Sequence, residues 1–162
     1  MSEELADIVD AIVAMQKNDI PLPAGQTKGI ALATDEPMED VSVFPAFLNI
    51  EEAIDVTHGP SRRQDVHTIN MHLLFARADQ KYSVRARRAW ILQVRNTFDL
   101  NLRLFLRDTG VAQCHYARVS RVEYHDNMPF NTPLALGDHE YIAATFILEV
   151  LVDGAFAYSS GS

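Results

Sequence analysis

A single cysteine, Cys114, leaves this chain without an internal disulfide, and its cysteine and histidines show no zinc-finger spacing. Packing must therefore hold the fold together, and a reducing cytoplasm is the compartment that fits. No run of about 18 or more apolar residues offers a membrane span. The opening MSEELADIVDAIVAM has neither the basic start nor the unbroken apolar stretch of a signal peptide. The expectation is a soluble intracellular product. With 7 glycines and 7 prolines in 162 residues, the composition is not that of a fibrous or low-complexity polymer. Basic side chains are scarce at both ends of the chain: residues 1–60 hold 2, and residues 126–162 hold none.

A 48% hydrophobic content is enough to offset the entropy of ordering, and the length is that of one domain, 1–162. The net charge of −8 is unevenly spread: residues 1–60 carry 12 acids, and residues 61–125 carry 12 bases against 5 acids. A sequence-nonspecific nucleic-acid binder normally shows a basic domain, so this balance disfavours that role unless folding gathers the central arginines. Segregated charge suits self-assembly, in which an acidic face of one subunit meets a basic face of the next.

Leu5, Ile8, Val9, Ile12 and Val13 form one apolar stripe at helical spacing, with Ser2 as the expected cap, and predict a helix over 1–17. Residues 18–40 contain Pro21, Pro23, Gly25, Gly29 and Pro37 among four acids, and are expected to form a long loop or an arm on a neighbouring subunit. The β-rich run 41–50 contains Pro45, which donates no ladder hydrogen bond and so belongs at an edge, a bulge or a strand end. In 66–77, Ile69, Met71, Leu73 and Phe75 alternate with Thr68, Asn70 and His72, the pattern of a half-buried strand. Ser83 can cap a helix running to about Leu106, with Trp90, Val94, Phe98, Leu102 and Phe105 as its apolar ridge and Gly110 as its stop. A strand over 114–124 would put Tyr116, Val122 and Tyr124 on one side and Ala117 and Val119 on the other. A strand over 141–152, apolar on both faces, suits the middle of a sheet. The order α-β-β-α-β-β predicts an α+β fold: an antiparallel sheet of about four strands, covered on one face by the long helix and the N-terminal helix. The core would occupy 41–153, with 154–162 a flexible tail.

The sequence is thin in chemistry. GQTKG at 25–29 lacks the spacing of a phosphate-binding loop, and no GxSxG, HExxH or GxGxxG motif occurs. Asp65 and His67 share a strand face and could converge on a cation with His115 as third ligand, but two ligand types two residues apart arise readily by chance. Cys114 and His115, adjacent on a predicted strand, point to opposite faces and cannot pair as thiolate and base. No cofactor and no catalytic residue is expected. Six arginines populate the predicted long helix, and Arg85, Arg103 and Arg107 fall in one polar sector opposite Phe98. Such a sector is usually a solvated face. As a functional feature it would be a docking strip for an acidic surface or for the backbone of passing DNA.

The element order, the FPAFLNIEE segment leading into a strand, the VHTINMHLLF strand, the arginine-rich helix with Trp90 and the closing EYIAATFILEVLV strand together resemble the tail terminator and tail-completion neck proteins of long-tailed bacteriophages. The resemblance covers roughly 41–153 and rests on layout rather than on an invariant motif. The excursion at 18–40 and the SSGS ending have no counterpart in it. It implies a virion protein of the tail or neck, made in the host cytoplasm, whose homohexameric ring caps the tail tube, ends its polymerisation and joins a head-closure or connector protein. DNA would pass through such a ring without sequence-specific binding. The charge pattern supplies two faces for the ring contact, the acidic stretch Glu36, Glu39, Asp40 and the helix bearing Arg85, Arg103 and Arg107. The alternatives are a head-closure or other neck connector ring and, in other classes, a small nucleic-acid-binding module or an enzyme with an unrecognised site.

Overall fold

The computed structural model describes residues 2–36, 41–58, 63–101, 116–129 and 140–153. Helix α1 spans Ser2–Asn18, so Ser2, expected as its cap, is itself helical. Ile8, Ile12 and Met15 recur every three or four residues and are fully or almost fully buried, while Val13 packs at the margin of the same core. Helix α2 spans Val84–Asp99. The Ser83 hydroxyl accepts the backbone N–H of Ala86 at 3.2 Å, which satisfies one of the donors the first turn leaves open. Trp90, Ile91, Val94 and Phe98 form the buried face of α2.

The expected four-stranded antiparallel sheet is instead a five-stranded mixed sheet. In chain order its strands are β1 (Leu32–Thr34), β2 (Ala46–His58), β3 (Arg63–Arg77), β4 (Tyr116–Pro129) and β5 (Glu140–Asp153). Their order across the sheet is β1-β2-β3-β5-β4. The additional strand lies in the segment expected to be a loop, where Leu32, Ala33 and Thr34 pair in parallel with Ala46, Phe47 and Leu48. Three residues in a proline- and glycine-rich stretch carry no periodicity of their own, so this strand exists only through its partner. The approach to it is fixed by the Ala31 N–H, which donates to the Pro45 carbonyl at 2.8 Å. Pro45 itself stands just before β2, at a strand end. The remaining pairs are antiparallel; β3 is the middle strand, and β5 is interior, between β3 and the edge strand β4.

Both helices cover one face of this sheet, where Phe47, Met71, Leu73, Phe146 and Leu148 meet the apolar stripes of α1 and α2. On the opposite face Val41, Phe44, Leu48, Leu74, Tyr141 and Ala143 make a second, smaller cluster. The Val41 N–H donates to the Tyr141 hydroxyl at 3.2 Å there. Val41 and Phe44, just ahead of β2, thus pack on the side the helices leave uncovered.

Two further expectations change. The long helix stops at Asp99 rather than running to Leu106: Leu100 caps it, its N–H donating to the Asn96 carbonyl at 3.0 Å, and the Asn101 N–H donates to the Phe98 carbonyl at 3.1 Å. Leu102, Phe105 and Gly110 lie outside the described residues. In β4 the register shifts between Val119 and Arg121, so Ser120 is an extra residue and Val122 returns to the side of Val119. Both pack against the helix-covered core, whereas simple alternation had put them on opposite sides.

Candidate functional site

Exposed charge of opposite sign is carried by different elements. On α2, Arg85, Arg88, Leu92, Arg95 and Asp99 follow one another at steps of three and four, so they share the side turned away from Trp90, Val94 and Phe98. Arg85, Arg88 and Arg95 are exposed, and Leu92, in their midst, keeps 57% of its surface in solvent. Among the described residues none of these three arginines has an acidic partner. The neighbouring Arg87 behaves differently, because it points inward. Its guanidinium donates to Asp126 at 2.9 Å, reaches the His125 carbonyl at 3.5 Å and lies 5.9 Å from the centre of the Tyr124 ring. That contact fixes α2 over β4.

At the other end of the sheet the charges are acidic. Asp35 and Glu36 follow β1 and are exposed, with the Glu36 N–H donating to the Thr34 hydroxyl at 3.0 Å. Glu52 and Asp55 are exposed on β2, beyond the three residues that β1 pairs with. Of the residues the sequence singled out, Arg85 and Glu36 therefore fall on these two surfaces. Glu39, Asp40, Arg103 and Arg107 lie outside the described residues. Arg88 and Arg95, expected among the six arginines of the helix but not in its polar sector, complete the first surface, and Glu52 and Asp55, which no sequence pattern marks, complete the second. The helical period that places Arg85 also places Arg88 and Arg95, whereas residues 103 and 107 share a sector with Arg85 only in a helix that continues past Asp99.

Among the described residues, three polar groupings are wholly or partly buried against the sheet. Gln16 of α1 and Asn49 of β2 exchange two side-chain hydrogen bonds, each 2.8 Å, and the Asn49 amide also donates to the Thr34 carbonyl at 3.2 Å. The His67 Nδ1 lies 2.9 Å from the Glu51 carboxylate. Asp65 and His67 do share a sheet face, and both are buried. Their proposed third ligand, His115, is outside the described residues, as is Cys114. Among the described residues no group of three His, Cys, Asp or Glu side chains is placed to hold a metal ion.

On the opposite face, the Thr145 hydroxyl lies 2.8 Å from His72 Nδ1 and 3.1 Å from His125 Nε2. A hydroxyl has one proton to give, so it donates to one imidazole and accepts from the other. Burial, helped by the nearby His125, lowers the pKa of His72 to about 4. His72 is consequently neutral at physiological pH and serves as a structural hydrogen-bonding group. Burial also raises the Tyr82 pKa. A hollow of about 360 Å³ between the C-terminal ends of α1 and α2 is lined by Met15, Gln93, Asn96, Thr97 and Asn101, among others. Asp19 is the single ionisable side chain among the described residues that line it. Among the described residues no helix is long and apolar enough to cross a membrane. The chain matches no family model, and no curated protein proves similar to it in sequence.

Proposed function

We propose that this chain is a virion structural protein that assembles into a ring, caps the tail tube of a long-tailed bacteriophage and joins the tail to the head connector. The observation that carries this reading is the lateral inequality of the subunit. Its sheet ends in a short acidic β1/β2 margin on one side and in β4 with the arginine-bearing α2 on the other. A closed ring needs two different, complementary surfaces on every subunit, and a subunit whose two ends differ in charge supplies them. The α+β layout, with its long strands and its helices on one face, agrees with the resemblance drawn from the sequence.

On this reading the protein acts by shape. Seating the ring on a tube end covers the surface the next tube subunit would have used, and no catalytic step is involved. The test is tube length: purified protein is added to polymerising tail-tube subunits, and the tubes are imaged in negative stain. Shorter tubes bearing a ring at one end are expected. Tubes of unchanged length and bare ends overturn the reading. A ring that binds the head connector while ignoring tube ends favours the neighbouring role of head-closure protein.

A further inference from the structure

We infer that copies of this chain associate head to tail through the outer face of α2 on one copy and the β1/β2 margin on the next, with Arg85, Arg88 and Arg95 set against Asp35, Glu36, Glu52 and Asp55. This inference rests on the ring reading and assigns its subunit contact.

The two surfaces are suited to each other and not to themselves. The outer face of α2 carries three exposed arginines against one acid, Asp99, with Leu92 at its centre. Guanidiniums around an exposed apolar side chain have the composition of an interface core, where arginine is enriched and lysine depleted. The β1/β2 margin carries four exposed acids, and within residues 30–36 and 46–56 there is no lysine or arginine to neutralise them. Three of those acids, Asp35, Glu36 and Asp55, have no basic partner among the described residues. Two α2 faces would repel each other, as would two acidic margins, which disfavours a symmetric dimer and leaves the heterologous contact.

Geometry adds a second constraint. The margin is the part of the sheet where β1 leaves the outer side of β2 unpaired beyond Leu48 among the described residues. The extra residue Glu52 and the acids there discourage another strand from adding directly. A helix face can approach such a margin through side chains alone, and arginine forms two parallel hydrogen bonds with a carboxylate.

The experiment is a charge exchange in the full chain, read as absolute mass by light scattering across concentration. Arg88→Glu with Arg95→Glu makes one variant, and Glu52→Arg with Asp55→Arg makes the other. Each alone should associate at least about tenfold more weakly than the parent. Mixed in equal amounts they should regain association, since the reversed helix of one now complements the reversed margin of the other. Recovery on mixing also shows that both variants are folded. If the parent forms rings and both variants form them equally well, the contact is wrong and the ring reading stands. A parent that stays monomeric at its highest soluble concentration overturns this contact, and the tube-length test then decides the ring reading separately. If Arg88→Glu with Arg95→Glu abolishes binding to duplex DNA and leaves the mass unchanged, the arginine face serves nucleic acid and the inference fails.

Discussion

Asn49 accepts one hydrogen bond and donates two, to groups on α1 and β1, from a position 4% exposed. It is the side chain that ties the N-terminal helix and the marginal strand to the sheet. Asn49→Ala should leave the buried Gln16 amide unsatisfied and cost about 1–3 kcal/mol of stability in denaturant unfolding. A companion Gln16→Ala change should cost less in that background than alone, because the shared bonds are already lost. Periodicity alone places both residues inward: Gln16 lies one turn beyond Ile12, and Asn49 one alternation from Phe47. Their mutual pairing joins residues 33 positions apart and is not legible in the sequence. His72 makes a different prediction. Its folded pKa lies below the unfolded value, so the stability it confers is complete above pH about 6.5 and is lost as pH falls through about 4. The full loss is about 3 kcal/mol, and His72→Gln should flatten that acid limb in unfolding curves measured between these limits.

Among the elements, the four register shifts follow a common pattern: the residues they free reach out to something. Glu52 accepts from the Asn70 amide at 3.1 Å, Phe75 stacks on Tyr82 at 5.1 Å between ring centres, Ser120 donates to the Ile147 carbonyl at 3.3 Å, and Asp126 receives Arg87. Deleting Ser120 should turn the bulge into regular pairing, in which Val119, Arg121 and Val122 simply alternate and Val122 and Tyr124 keep the side that faces the helices. A loss of no more than about 1 kcal/mol in thermal or denaturant unfolding is expected, that of the Ser120–Ile147 hydrogen bond, and a loss of about 2 kcal/mol would instead mean that Val122 had left the core. Bulges explain why the alternation of β4 misled: a two-residue period cannot announce where one residue is skipped. The four long strands and α2 were legible because long runs of Ile, Val, Leu and Phe at one period leave little choice, and Ser83 marks its own helix start; β1, three residues without a period, was not. The end of α2 was not, since LNLRLFL continues the helical pattern past Leu100. The arginine surface was consequently legible as a helix face but not in its membership.

For the molecule as a whole, a negative total charge coexists with a basic helix face, and the sheet order β1-β2-β3-β5-β4 keeps that face and the acidic margin about 15–20 Å apart, three to four strand spacings. That separation exceeds the screening length of about 8 Å at physiological ionic strength, so the two surfaces of one subunit hardly neutralise each other. They remain available to a neighbour. Association should therefore weaken steadily as salt is raised from about 0.05 to 0.5 M, and sedimentation velocity across that range would show it. Association unaffected by salt would point to an apolar contact instead. The charge blocks in the sequence already implied two faces. Their position at opposite ends of one sheet depended on β1 joining the margin and on β5 being inserted ahead of β4, which no local pattern specifies.

That insertion has a consequence for how the protein comes into being. β5 lies between β3 and β4, so while residues 78–139 are being made one side of β3 has no partner strand and β4 has nothing to pair with. A ribosome adding about 5–20 residues per second leaves the half-built sheet waiting for several seconds with an open, apolar edge. The fold is therefore completed all at once, when the interior strand ending at Asp153 emerges, and a chain cut short before residue 140 is left with two fragments of a sheet and no means of joining them.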